Sequence, residues 1–270
     1  MINKKIGIIG CGNMGEAIFS RLAATMDKST MLMASEMDAA RRDYIQKKYG
    51  IIVQIDNNYL VKNSDVIILA VKPKDFDNVL HREVCCGVSK NKLLISIAAG
   101  IRIKYIEGIV GKDISVVRAM PNMPAVIGEA ISVISRGKAA GDEDMKITRE
   151  IFSAIGDVIE VDEKFMDSVT AVSGSGPAYF FYMIESLIEG AQALGLDKDT
   201  ARRLVLKTAL GSFKLLDSFK EDPGVLIKKV ASKGGTTEAA LKVFKSKKVN
   251  NIIKDALKKA AKRSKELSKG

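Results

Sequence analysis

The chain has no tryptophan, one histidine, three cysteines and five prolines in 270 residues. A single histidine, His81, leaves a zinc site without its usual partners, and no metal is expected. Cys11, Cys85 and Cys86 are an odd count with two adjacent members. They make no disulfide framework and point to a reducing, cytoplasmic compartment. No apolar run approaches the ~18 residues of a membrane span, so no membrane partner is expected. Residues 1–5 (MINKK) run straight toward a strand-like segment, which argues against a signal peptide. The 22 glycines follow no period, which excludes a collagen-like chain. An apolar content of 47% excludes intrinsic disorder.

What is present fits two globular domains, at roughly 150 residues each. The net charge is +11 and unevenly placed, because residues 245–270 hold ten Lys or Arg against two Asp or Glu. Within that tail Ile252, Ile253, Ala256, Leu257, Ala260 and Ala261 recur at helical spacing. The tail therefore reads as an amphipathic helix with a solvated lysine face. No interleaved aromatics support base stacking, and no nucleic-acid partner is expected.

Up to residue 161 the chain alternates. Strands are expected at 5–9, 30–35, 51–54, 65–71, 93–98, 115–118, 130–135 and 158–161, and helices at 13–24, 38–49 and 142–154. The run DVIILAV at 65–71 suits a strand covered on both faces. Such alternation predicts a parallel, doubly wound α/β sheet of Rossmann type. After residue 163 strand signals vanish. Helices are expected at 177–194, 200–219, from 222 onward, at 237–245 and at 251–267. The expected organisation is a Rossmann-type dinucleotide-binding domain over 1–163 and an all-helical domain over 164–270. Helix 177–194 is apolar on most of its circumference and should be buried on most sides, in part against a second subunit.

Gly10-Cys11-Gly12-Asn13-Met14-Gly15 reads G-x-G-x-x-G between a strand and a helix, the context the dinucleotide fingerprint requires. Gly10 allows the tight turn, Gly12 lets backbone approach a pyrophosphate, and Gly15 lets helix pack on strand. The helix start at Asn13 and Met14 supplies N–H groups and a positive dipole end to phosphates. Glu36 lies 21 residues beyond Gly15, where an acid binds ribose hydroxyls and disfavours a 2′-phosphate. Ser35, Arg41 and Arg42 favour a 2′-phosphate instead, so the choice between NADH and NADPH stays open.

Alcohol dehydrogenation usually needs a positioned general base. The sole histidine lies in a polar stretch, and Arg118 and Lys72 are the best charged candidates near strand ends. This scarcity points to a substrate needing little proton catalysis, such as a cyclic imine.

Six segments resemble the pyrroline-5-carboxylate reductase family. They are residues 7–17 (GIIGCGNMGEA), 70–73 (AVKP), 96–100 (SIAAG), 118–125 (RAMPNMPA), 171–179 (AVSGSGPAY) and 230–241 (VASKGGTTEAAL). Lys233 stands where the family often has proline, and Met123 where it often has threonine. The resemblance implies NAD(P)H-dependent reduction of 1-pyrroline-5-carboxylate to L-proline. It implies substrate binding by Ser232, Gly234, Gly235, Thr236 and Thr237, with Thr237 bonded to the ring nitrogen. It implies cofactor contacts from Asn57, Ala70, Lys72, Pro73, Ala98 and Ala99, with Val71 beside Ala70. It also implies that the helical domain binds substrate and joins subunits into a homodimer or a higher homo-oligomer. Independently, two glycines ahead of a helix offer free N–H groups to a carboxylate, although a plain loop with a threonine cap fits the same residues. Ser173, Ser175 and Tyr179 lack a histidine or acid in any triad pattern. A related 3-hydroxyacid dehydrogenase, with Lys207 as base, is one alternative. A non-catalytic dinucleotide sensor, or an RNA binder using the basic tail, is another.

Overall fold

The computed structural model describes residues 2, 4–25 and 31–268. The chain divides into two compact units, residues 1–175 with 260–270, and residues 176–259.

The first unit is built on an eight-stranded sheet in the order β3-β2-β1-β4-β5-β6-β7-β8. The strands are β1 (Ile6–Ile9), β2 (Leu32–Ser35), β3 (Val53–Gln54), β4 (Val66–Leu69), β5 (Leu93–Ser96), β6 (Ser115–Met120), β7 (Ala130–Arg136) and β8 (Gly156–Glu160). Position 30 of the expected second strand lies outside the described residues. Side chains alternate between two apolar layers. Ile6, Ile8, Val66 and Ile68 enter one, and Ile9, Ile67 and Leu69 enter the other. β4 is buried along its whole length, as a strand covered by helices on both faces must be.

The sheet is not wholly parallel, as the alternation predicted: β7 runs antiparallel to β6. A parallel crossover takes a dozen or more residues, and residues 121–129 between them hold only a 3₁₀ turn, Met123–Ile127.

Helices α1 (Asn13–Thr25), α2 (Ala39–Tyr49) and α6 (Asp142–Ser153) follow the sequence reading. Three more form where no helix was expected: α3 (Asn57–Lys62), α4 (Pro73–Val79) and α5 (Ile103–Val110). A 3₁₀ turn at Glu163–Phe165, α7 (Met166–Val169) and a π turn at Thr170–Gly174 follow β8. They belong to the sheet unit, whose division from the second compact unit falls at 175/176. Met166 is fully buried, and Ser173 O accepts a bond from Asn122 Nδ2 at 3.2 Å.

The second unit comprises α8 (Gly176–Ala193), α9 (Lys198–Phe219), α10 (Pro223–Val230), α11 (Thr236–Ser246) and the first part of α12 (Val249–Leu267). Asp197 caps α9 by accepting the Asp199 and Thr200 N–H groups, and Asp222 caps α10. Phe180 of α8 and Phe213 of α9 meet edge to face at 5.4 Å. The expectation that α8 is buried on most sides does not hold within one chain. Phe181 is 58% and Tyr182 69% exposed, and Ala201 is the one buried apolar residue between 176 and 259. Burying a side chain the size of Phe is worth about 1.5–3 kcal/mol, so this unit lacks a core of its own.

The C-terminal part of α12 belongs to the sheet unit. Gly100 has a φ of +75°, and a Cβ there would lie 2.9 Å from Leu267 O. No helix among the described residues is long and apolar enough to cross a membrane.

Candidate functional site

The loop after β1 carries the strictest backbone demands. Gly10 has a φ of +96°, and a Cβ there would sit 2.9 Å from Ala70 O. At Gly15 a Cβ would meet Gly10 O at 2.0 Å, whereas at Gly12 it would meet nothing within 4 Å. Gly15 thus lets α1 close on the loop, and Gly12 leaves open space in front of it. The Glu16 N–H makes the first intrahelical bond, to Gly12 O at 2.8 Å. The N–H groups of Asn13, Met14 and Gly15 precede it and have no intrahelical acceptor. The acid in this first turn, Glu16, does not oppose an anion unscreened, because it pairs with Arg41 and Lys48. Burial raises the Glu16 pKa, but hydrogen bonds from Lys48, Tyr49 and Arg41 outweigh it and hold the carboxyl below its ordinary value.

A cavity of about 750 Å³ opens beside the loop, a size suited to a cofactor. Of the expected cofactor residues, Gly10, Gly12, Ser35, Glu36, Asn57, Ala70, Val71 and Lys72 line it. Asn13, Met14, Gly15, Pro73, Ala98 and Ala99 do not. Glu36 Oε2 accepts the Cys11 N–H at 2.8 Å, and its Oε1 accepts the Asp38 N–H at 2.9 Å. Ser35 Oγ bonds to Asn57 Oδ1, and Asn57 Nδ2 bonds in turn to Glu83. This buried chain ties β2 to α3 and to the π turn Leu80–Val84. Cys11 is buried under the loop. Burial first, then the Glu36 carboxylate, push its thiol up to about 12.

Lys72 N-caps α4 with Pro73 as the first helical residue, a placement proline favours. Ala98 is buried just past β5, and its N–H bonds to Ser96 Oγ at 3.3 Å. The other charged candidates do not line the cavity. Arg118 is buried in β6, with Nη1 on Glu163 at 3.1 Å and Nη2 without a partner. His81 is exposed on the π turn, and Lys207 is exposed on α9. Asn122 braces the backbone, accepting the Ile131 N–H at 3.0 Å. The Ser173 hydroxyl donates to Val169 O at 3.0 Å. Among the described residues, no three His, Cys, Asp or Glu gather where a metal could bind.

The expected substrate segment lies in the helical unit. Ser232, Gly234 and Thr236 are exposed, and Gly235 and Thr237 are half-buried. Gly234 has a φ of +75°, a conformation L residues avoid. Gly235 N-caps α11 without a side-chain bond. Its N–H closes a turn onto Ser232 O at 3.1 Å, and the Gly234 N–H bonds to Glu238 Oε2 at 2.8 Å. Ala239 makes the first intrahelical bond of α11, to Gly235 O. The N–H groups of Thr236, Thr237 and Glu238 therefore remain for an external acceptor.

Sequence reasoning missed Asp75, Asn78, Val79 and Glu83, which also line the cavity. Their helix was signalled by Pro73 followed by Asp75, with Phe76, Val79 and Leu80 at helical spacing.

Comparison with known proteins matches residues 163–267 to a family model described as pyrroline-5-carboxylate reductase dimerisation. Residues 5–100 match one described as NADP oxidoreductase, coenzyme F420-dependent. The chain is 40% identical to a pyrroline-5-carboxylate reductase of Synechocystis sp. over 98% of each chain. A solved pyrroline-5-carboxylate reductase from Coxiella burnetii superimposes with a TM-score of 0.91 at 34% identity, covering 100% of both chains. A Plasmodium falciparum pyrroline carboxylate reductase with NADP bound gives a TM-score of 0.89 at 31% identity, again over 100% of both.

Proposed function

The chain belongs to the pyrroline-5-carboxylate reductase family and reduces 1-pyrroline-5-carboxylate to L-proline with NADH or NADPH, and from that premise we propose how its own residues divide the work. The sheet unit holds the dinucleotide. The Asn13, Met14 and Gly15 N–H groups and the positive end of α1 face the phosphates, and Gly12 leaves room for them. Ser35, Glu36 and Asn57 border the ribose. Ala70, Val71, Lys72, Pro73, Ala98 and Ala99 border the rest of the cofactor. The observation that carries this reading is the cavity beside the loop, which gathers Gly10 and seven of these residues from four separate stretches of chain.

The α11 start holds the substrate. Ser232, Gly234, Gly235 and Thr236 form the turn, and the first-turn N–H groups take the substrate carboxylate. The Thr237 hydroxyl, able to donate or accept, holds the ring nitrogen. A bound reduced nicotinamide supplies the hydride that adds to the carbon of the ring C=N bond. The nitrogen is basic enough to carry a proton from solvent, so the protein's share is largely orientation.

The protein is a homo-oligomer. The finer reading is a homodimer joined through residues 164–270, or a higher homo-oligomer assembled from such dimers. The exposed apolar faces of α8 and α9 support it. Three free cysteines support a reducing, cytoplasmic setting.

The test is a cofactor assay at 340 nm offering 1-pyrroline-5-carboxylate and 3-hydroxyisobutyrate, each with both dinucleotides. Turnover confined to the cyclic imine is expected. Turnover of the hydroxyacid alone would transfer the site to the alcohol dehydrogenases.

A further inference from the structure

The residues after β2 offer a 2′-hydroxyl and a 2′-phosphate opposite welcomes, and the side-chain bonds decide between them. Glu36 is fixed in the cavity wall by the Cys11 and Asp38 N–H groups. Each carboxylate oxygen has a second lone-pair site, so both can still accept ribose hydroxyls. Part of the donor set that would neutralise a phosphate is already engaged. Arg41 Nε donates to Cys11 O at 2.6 Å, and its Nη2 pairs with Glu16. Arg42 Nη1 donates to Glu36 O at 2.9 Å. The start of α2 is capped from within, since Asp38 Oδ1 accepts the Arg41 N–H at 2.7 Å. Ser35 spends its hydroxyl on Asn57. The cavity wall carries four carboxylates against three cations, and two of those cations, Lys72 and Lys74, come from the α4 side rather than from α2.

We infer that Glu36 is the specificity-determining residue of the cofactor subsite and that this chain binds NADH in preference to NADPH. The inference rests on the proposed dinucleotide site. It runs against the simplest extrapolation from the relative solved with NADP bound. A phosphomonoester adds nearly two negative charges at neutral pH. Beside a fixed carboxylate it meets like-charge repulsion in a partly desolvated wall.

The test is calorimetric titration of the full-length protein with NADH and with NADPH, without substrate. The expected result is NADH at least about tenfold tighter. Glu36→Gln keeps the shape and removes the charge, and should bring the two affinities together, chiefly through tighter NADPH. A thermal melt of each variant checks that the fold persists. Arg41→Ala should leave the ratio of the two affinities unchanged within about twofold, because that arginine already serves Glu16 and Cys11. NADPH binding as tightly as NADH to the unaltered protein would overturn the inference, as would a selective loss of NADPH in Arg41→Ala. Failure to bind either dinucleotide would overturn the cofactor site itself.

Discussion

Ser264 donates a hydrogen bond to Asp167 Oδ1 at 2.7 Å, joining the end of α12 to α7 across 97 residues of chain. Ser268 adds a longer contact to the same oxygen at 3.4 Å. The basic tail is therefore structural at its far end: its lysines face water while its serine clasps the sheet unit.

Ser264→Ala should cost about 1 kcal/mol, the usual net worth of such a bond. Because Ser264 is 5% exposed, its bond has little competition from water. A thermal melt should show a midpoint lower by a few degrees, with turnover unchanged at temperatures well below it.

Gly12→Ala and Gly15→Ala should part company. A methyl at position 12 meets nothing but faces the cavity. It should leave the melting temperature alone and weaken dinucleotide binding. A methyl at position 15 would strike Gly10 O, and overpacking of this kind costs about 1–3 kcal/mol. Melting curves and titration calorimetry on both variants check the contrast.

Thr237→Ala should lower turnover about 10²-fold, the scale of a lost orienting contact, and leave NADH affinity as it was. Thr237→Ser should recover most of the loss, because it restores the hydroxyl. A fully active alanine variant would remove Thr237 from the reaction.

The Cys11 thiol should resist alkylation at pH 9 in the folded protein, while the exposed Cys86 reacts. Burial and Glu36 hold the folded Cys11 pKa near 12, against about 8.5 for a free thiol. The stabilising contribution of the neutral buried thiol is complete below the unfolded pKa. It is lost progressively as pH rises from about 8.5 through 12, because the unfolded chain ionises first. Mass-spectrometric counting of labelled cysteines, with melts at pH 8 and 10, checks both statements.

The strand–helix alternation was legible because β1 and β4 are short, wholly apolar runs between polar turns, and β5 is apolar up to Ser96. The direction of β7 was not, since its own residues look the same whichever way it runs, and the length of its connection decided the matter. α3 and α5 escaped because six and eight residues barely span two turns, too few to establish a period. The first half of the cavity was readable from Gly10 to Glu36, where spacing carries the chemistry. Asn78 and Glu83 escaped because their place depends on the helical phase of residues 73–84, where no helix was expected. α8 misled in another way. Its all-round apolarity reads as a demand for burial, and one chain does not meet that demand.

Residues 176–259 leave much of their apolar surface exposed, and Ala201 is their one fully buried apolar side chain. Copies of this chain consequently do not fail independently. If these helices join the copies as proposed, a copy with damaged helices denies shelter to its sound partner, and a mixed population should lose more function than its damaged fraction alone would remove.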